Sequence, residues 1–293
     1  MKLLNKPLLS RVWLYQNTLI AILFAGAVIQ SGAQICTPAI RDTSLQINLA
    51  GGLSDWTIDG VNQLNQQWFY YSVGSGPVYS IDTIAPWSTP TISTNLGKTQ
   101  ITLSEIYANA TISVGTTYVL GSSPVGSGKA TLTQTLTINN PSATTAQVFH
   151  FYQYSDFDLG GVSEGQNLQF NDNGAGKYYQ VVQTGSTGIT LTGLVTSVSG
   201  GSSVQYEVQA GTYDGTRFGL GNGNSAPLLN NTLTAGPGNV DYAYEWDATL
   251  AGGSSIIISE LQTVVPEPSS VALVASGMLA LALLYRRRQG RTA

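Results

Sequence analysis

From about Cys36 to Thr263 one pattern recurs: apolar and polar residues alternate in short runs, and clusters of Gly, Asn, Ser and Pro separate the runs. Successive side chains of a strand point to opposite faces, so a period of two describes strands with one dry and one wet face. In Thr131 to Asn139 the even positions Leu132, Gln134, Leu136 and Ile138 oppose threonines at 131, 133, 135 and 137. Leu45, Ile47 and Leu49 alternate with Gln46 and Asn48, and Val204, Tyr206, Val208 and Ala210 with Gln205, Glu207 and Gln209. Tyr242, Tyr244, Trp246 and Ala248 share one face of a later run, while Asp241, Glu245 and Asp247 share the other. Such strands pair antiparallel and pack sheet on sheet.

Denser apolar runs, including Trp68 to Val73, Ile101 to Leu120, Val148 to Leu159 and Ile256 to Val265, suit the middle of sheets. Breakers roughly ten to twenty residues apart predict about twelve to sixteen strands. The expected body, residues 36–263, is a single large antiparallel β-sandwich of the all-β class. Two smaller sandwiches joined near Gly121 to Gly128 are the alternative, and a short turn at Val61 to Gln66 is the one helical expectation.

Only 10% of the 293 residues are charged, against roughly 25% in an average soluble chain. Basic residues gather at the two ends: Lys2, Lys6 and Arg11, then Arg286, Arg287, Arg288 and Arg291. Between them five cations face all sixteen acids, a net charge of −11 that argues against nucleic acid or an anionic membrane face as the body's ligand. A single cysteine, Cys36, leaves no internal disulfide. Ile35 directly before it breaks the small-residue pattern of a lipidation site, so a free thiol near a frayed end is expected.

Residues 1–33 read as a secretory signal peptide, with a basic start, an apolar run from Leu19 to Ile29, and small residues Ser31 and Ala33 at the cleavage positions. The other end, 264–291, has Pro266, Glu267 and Pro268, an apolar run from Val271 to Leu284, then the arginines. With Ser269, Ser270 and Tyr285 the run reaches 17 residues, at about 1.5 Å each a short transmembrane helix. Arg286, Arg287 and Arg288 stay cytoplasmic by the positive-inside rule, as a stop to transfer. The body then lies outside the inner membrane, in agreement with the signal peptide.

Triplet, apolar helix and terminal arginines, in that order, resemble the PEP-CTERM sorting signal of Gram-negative bacteria. The resemblance implies an exosortase, a membrane-embedded cysteine transpeptidase, that recognises Pro266, Glu267 and Pro268 and cuts the body from its transient inner-membrane anchor. It also implies a host that makes exopolysaccharide and a cargo that ends at the cell surface or in the extracellular matrix. Two prolines remove two amide donors, so the triplet is expected to stay extended and apart from the body's last strand, with Gln262 to Val265 as a short spacer.

For the body, the single histidine is the informative residue. Period two puts Phe149, Phe151 and Phe157 on one face, and Val148, His150, Tyr152, Tyr154, Asp156 and Asp158 on the other. The second face is aromatic, then acidic. Asp156, Asp158, Asn171 and Asp172, with flexible Gly160, Gly161, Gly174 and Gly176, offer oxygen ligands for Ca²⁺, so Asp156, Asp158 and Asp172 form the candidate metal set. The same acids could equally cap strand ends and their glycine turns. Asp156 and Asp158 also come near the lower carboxylate spacing of a glycosidase. No Gly-x-Ser-x-Gly elbow is present, zinc would have only His150 and Cys36 among its preferred ligands, and the Gly-rich runs lack the following helix of a phosphate-cradling loop. Trp56, Trp68, Trp87 and Trp246 could stack on sugar rings, although core packing is their commoner use. The expectation is a non-enzymatic surface or matrix protein without a cofactor, sorted by an exosortase. The alternative is a carbohydrate-binding module or polysaccharide-active enzyme exported by the same route.

Overall fold

Alternation becomes two stacked sheets in the computed structural model, which describes residues 35–267 apart from 86, 173, 175–176, 213–214, 222, 224 and 226–228. The signal peptide, Pro268, the apolar run from Val271 and Arg286 to Arg288 lie outside the described residues. No described helix is long and apolar enough to cross a membrane. In chain order the strands are β1 (Ile35–Cys36), β2 (Ala39–Ile40), β3 (Thr43–Asn48), β4 (Gly52–Ile58), β5 (Val61–Asn62), β6 (Gln66–Val73), β7 (Tyr79–Ser80), β8 (Thr91–Thr94), β9 (Gln100–Ala108) and β10 (Ser113–Ser122). There follow β11 (Ala130–Asn139), β12 (Gln147–Asp156), β13 (Gln166–Asp172), β14 (Tyr178–Thr184), β15 (Ile189–Gly200), β16 (Ser202–Thr212), β17 (Thr234–Gly238), β18 (Val240–Leu250) and β19 (Ser255–Pro266). The helix α1 (Gly215–Gly221) lies between β16 and β17. Strands hold 64% of the described residues and helices 4%, which makes the fold all-β.

The first sheet runs β1-β3-β4-β6-β12-β18-β16, with β2, β5 and β7 paired at its side, and the second runs β17-β13-β14-β15-β19-β11-β10-β9-β8. Together they form one large antiparallel sandwich. The alternative of two sandwiches fails because Gly121 to Gly128 closes the β10–β11 hairpin inside the second sheet, with Ser122 paired to Ala130. The dense run Val148 to Leu159 supplies β12, at the middle of the first sheet, and Ile256 to Val265 supplies β19, at the middle of the second. No helical turn forms at Val61 to Gln66; Asn62 Oδ1 accepts the amides of Trp56 and Leu64 and holds that segment against β4. Cys36 is a buried thiol in β1, paired with Ile47, and not part of a frayed end.

Aromatic residues dominate the buried interior: among the described residues the twelve largest fully buried side chains are all Trp, Tyr or Phe. Phe69 stacks on Phe151 within the first sheet, and Phe170 of the second meets Tyr244 of the first edge to face at 5.2 Å. Trp56, Trp68 and Trp246 are at most 2% exposed, so core packing claims them and leaves no stacking platform there. Trp87 is partly buried, and its indole N–H donates to the Asp82 carbonyl.

Polar side chains thread through this core. Gln67 donates to Ser155 Oγ at 2.8 Å and accepts from Gln134, which also donates to Gln262 Oε1 at 3.1 Å. Gln153 of β12 donates across the gap to Glu260 Oε2 of β19 at 2.5 Å. Farther along, Glu105 Oε1 accepts from the Tyr107 hydroxyl at 2.9 Å and from Thr116 Oγ1 at 3.0 Å. Burial pushes both carboxyls up to about 7. A buried polar group is tolerated only with partners, and the run of amides supplies several of them.

Candidate functional site

Because Phe149, Phe151 and Gln153 point between the sheets, the even residues of β12 face outward. Antiparallel pairing then decides their neighbours. His150 stands opposite Asp247, Tyr152 opposite Glu245, and Asp156 opposite Asp241 on β18. On the next strand Glu207 stands opposite Glu245. Directly opposed residues lie about 4.5–5.5 Å apart, so the register alone gathers one imidazole, one phenol and three carboxylates.

His150 Nδ1 is 2.5 Å from Asp247 Oδ1 and 3.7 Å from Glu245 Oε1. The histidine and Asp247 side chains are 13% and 15% exposed, and Glu245 is fully buried. The Asp247 hydrogen bond first, and Glu245 second, push the imidazole pKa up to about 9. At neutral pH the ring is therefore an imidazolium, oriented through Nδ1 with Nε2 left without a hydrogen-bond partner among the described residues. Burial and the neighbouring carboxylates raise Glu207. Burial first, then Glu245, raises Tyr152, whose hydroxyl lies near that carboxylate without a good hydrogen bond to it.

The chain after β16 returns over this face. Thr216 of α1 donates to Asp241 Oδ1 at 2.8 Å, and the Leu229 amide donates to Glu245 Oε2 at 3.2 Å. Leu220 and Leu229 are buried. The site is thus half covered: Glu245 is shut in, while His150 and Asp247 keep an edge toward solvent.

The candidate Ca²⁺ ligands do not converge. Asp156 is buried on the outer face of β12 and accepts from Asn65 Nδ2 at 2.7 Å. Asp158, just after β12, is raised by burial. Asp172 ends β13 in the other sheet and accepts the Gly174 amide, a turn cap. Leu159, next to Asp158, contacts Gln166 at the start of β13, while Asp172 ends that strand, about 20 Å farther along at 3.3 Å per residue. The structure brings together a different set. Among the described residues His150, Glu245 and Asp247 are the group of metal-type ligands, their donor atoms all within 4.8 Å of one another. An ion there would have to displace the proton between Nδ1 and Asp247. That spacing is also tighter than the roughly 5–9.5 Å of a two-carboxylate glycosidase, so proton transfer at this place would use the imidazolium with a carboxylate.

At the other end of the body, the profile of the PEP-CTERM protein-sorting motif matches residues 264–288. The chain carries a PEP-CTERM sorting signal. It implies export and exosortase-directed sorting. The expected spacer before this PEP-CTERM triplet is absent: Gln262 to Val265 belong to β19, Pro266 ends that strand opposite Ile189, and the Glu267 amide donates to Gly188 O at 2.7 Å. That bond makes Glu267 and Gly188 a hydrogen-bonded pair. Pro266, one residue earlier, occupies a non-hydrogen-bonded pair, where β15 asks for no amide. On its other side β11 stops at Ala130, opposite Val264. The missing N–H is therefore not needed, and the proline joins the sheet.

No curated protein matches the chain in sequence. Among solved structures, a bacterial glucoamylase complexed with acarbose is 9% identical, with 84% of this chain and 35% of that chain covered and a TM-score of 0.46. The chain thus spans about a third of the glucoamylase. A galactose mutarotase related enzyme from Lactobacillus acidophilus is 7% identical (80% and 98% covered, TM-score 0.45), and a GalM/aldose epimerase homologue from C. elegans is 8% identical (81% and 100% covered, TM-score 0.42). The likeness is one of architecture. The expectation of a non-enzymatic body is corrected to this extent: the structures it resembles in architecture bear names such as glucoamylase and mutarotase related enzyme, a likeness that gives this chain no activity of its own.

Proposed function

We propose that this protein is sorted to the cell surface or matrix through its PEP-CTERM signal and that its body acts there on a carbohydrate at the His150 site. The observation that carries this reading is His150 itself, held as an imidazolium by Asp247 and Glu245 with Nε2 left to meet a ligand. One nitrogen donor beside the two carboxylates that stay partly exposed, Asp247 and Glu207, suits a ligand dense in hydroxyl groups. A charged imidazole next to a carboxylate that keeps an edge toward solvent also suits proton transfer to and from a sugar oxygen, with His150 as the acid and Asp247 as the base. The body's negative charge favours a neutral or cationic glycan over a polyanion.

His150 is the chain's single histidine, which gives the test a clean reporter. The exported protein is titrated with monosaccharides and with the host's exopolysaccharide while the imidazole NMR signals are followed, and the mixtures are assayed for epimerised or cleaved sugar. Saturable shifts that vanish in Asp247→Asn support the reading. Imidazole signals unmoved by millimolar sugar, together with no product, would reduce the cluster to a structural ion pair.

A further inference from the structure

The sorting signal begins inside the folded body. Val264 and Val265, the first matched residues, are paired in β19, and the first two residues of the triplet are held by four separate contacts. Pro266 pairs with Ile189. The Glu267 amide donates to Gly188 O at 2.7 Å, and Thr190 Oγ1 donates to Glu267 Oε1 at 3.0 Å. The Pro266 ring lies on Gly128, where an added Cβ would come within 2.5 Å of its Cγ. Gly128 is itself fixed: its amide donates to Asp59 Oδ2 at 2.6 Å, and the Gly126 amide donates to Asp59 Oδ1 at 2.8 Å and to Asp42 Oδ2 at 3.1 Å. Asp42 and Asp59 belong to the first sheet's β-turns and Ile189 to the second sheet, so this seat exists only in the folded sandwich.

We propose that the folded body is a receptor for Pro266 and Glu267 and competes for them with the processing enzyme. This rests on the sorting reading and deepens it. A processing enzyme that binds an extended segment needs its backbone groups and side chains free, and here β15 and the Gly128 loop hold both. Processing then draws on the fraction of chains whose last pairs of β19 have frayed. When fraying is fast compared with cutting, the rate follows that fraction. Loss of one side-chain hydrogen bond raises it about fivefold.

The test uses the full chain in its producing cells and, for exchange, the precursor in detergent. Three chains are compared: wild type, Thr190→Val, and one with six Gly and Ser residues inserted between Val265 and Pro266, which leaves the triplet intact but off its seat. The expected result is a Glu267 amide protected from hydrogen exchange in the wild type and unprotected with the insert. Pulse-chase should show processing about fivefold faster for Thr190→Val and faster still for the insert. An unprotected Glu267 amide in the wild type overturns the proposal, as does an insert chain processed no faster than wild type. If no chain is processed, wild type included, the sorting reading itself fails and the clasp has nothing to gate.

Discussion

Replacing Glu260 by Gln should change how stability depends on pH. Glu260 projects from β19 between the sheets and is 1% exposed. Its Oε2 accepts from Gln153 at 2.5 Å and Gln262 at 3.4 Å, while Oε1 has no hydrogen-bond partner among the described residues. Burial raises the carboxyl from 4.5 to about 7 against the opposing pull of the two amides. Between those values the unfolded chain has lost the proton that the folded chain keeps, so stability falls as pH rises. Below pH 4.5 and above about 7 both states bind protons alike, and the curve is flat. At 1.36 kcal/mol per pH unit, the loss across the window is about 3 kcal/mol. A glutamine has nothing to ionise and still offers an oxygen to Gln153. Urea unfolding from pH 4.5 to 8 should therefore show the Glu260→Gln chain gaining about 3 kcal/mol on wild type as pH rises. A difference that stays constant with pH would refute the reasoning. Glu105, raised to about 7 by burial in β9, should contribute a second loss of the same sign. Three strand spacings, about 14 Å, separate it from β19, so the two effects should add.

Asp247→Asn should return the His150 pKa from about 9 toward its ordinary 6.5, read as a downward shift in the NMR titration of the one histidine; an unmoved midpoint would show that Asp247 does not hold the proton. Gly52→Ala should cost about 2–4 kcal/mol, because Gly52 sits at φ +92° and an added Cβ would lie 2.4 Å from both Gln67 O and Trp68 Cε3. Thermal unfolding within error of wild type would contradict that close approach.

Much of the sandwich is legible in the chain itself. In β11 the alternation of Leu132, Leu136 and Ile138 with threonines returns as alternating buried and half-buried residues. Side-chain direction in a strand follows from chain geometry alone, which is why Phe149 and Phe151 could be assigned to the core, and Tyr242, Tyr244 and Trp246 to one common face. The PEP-CTERM signal is legible for a similar reason: it is a contiguous string read by another protein.

Partnership between strands is not local, and there the chain is silent. Nothing in the sequence pairs Val148 to Leu159 with the run at 240–250. A slip of one residue would have turned every side chain to the other face. Only the β12–β18 register sets His150 against Asp247, and the amide of Leu229, 16 residues before Glu245, covers that carboxylate. The Ca²⁺ set does not converge for the same reason, since Asp158, just after β12, and Asp172, at the far end of β13, are 14 residues apart in sequence and follow strands of different sheets. Pro266 is the sharpest case. Its chemistry, a fixed φ and no amide, argues against a strand until the sheet places it in a non-hydrogen-bonded pair beyond the end of β11. Local chain geometry sets the faces of the strands, and a contiguous string of residues sets the address at the C-terminus. Tertiary structure decided which faces meet, because register and layer order depend on contacts among residues that are distant in the chain.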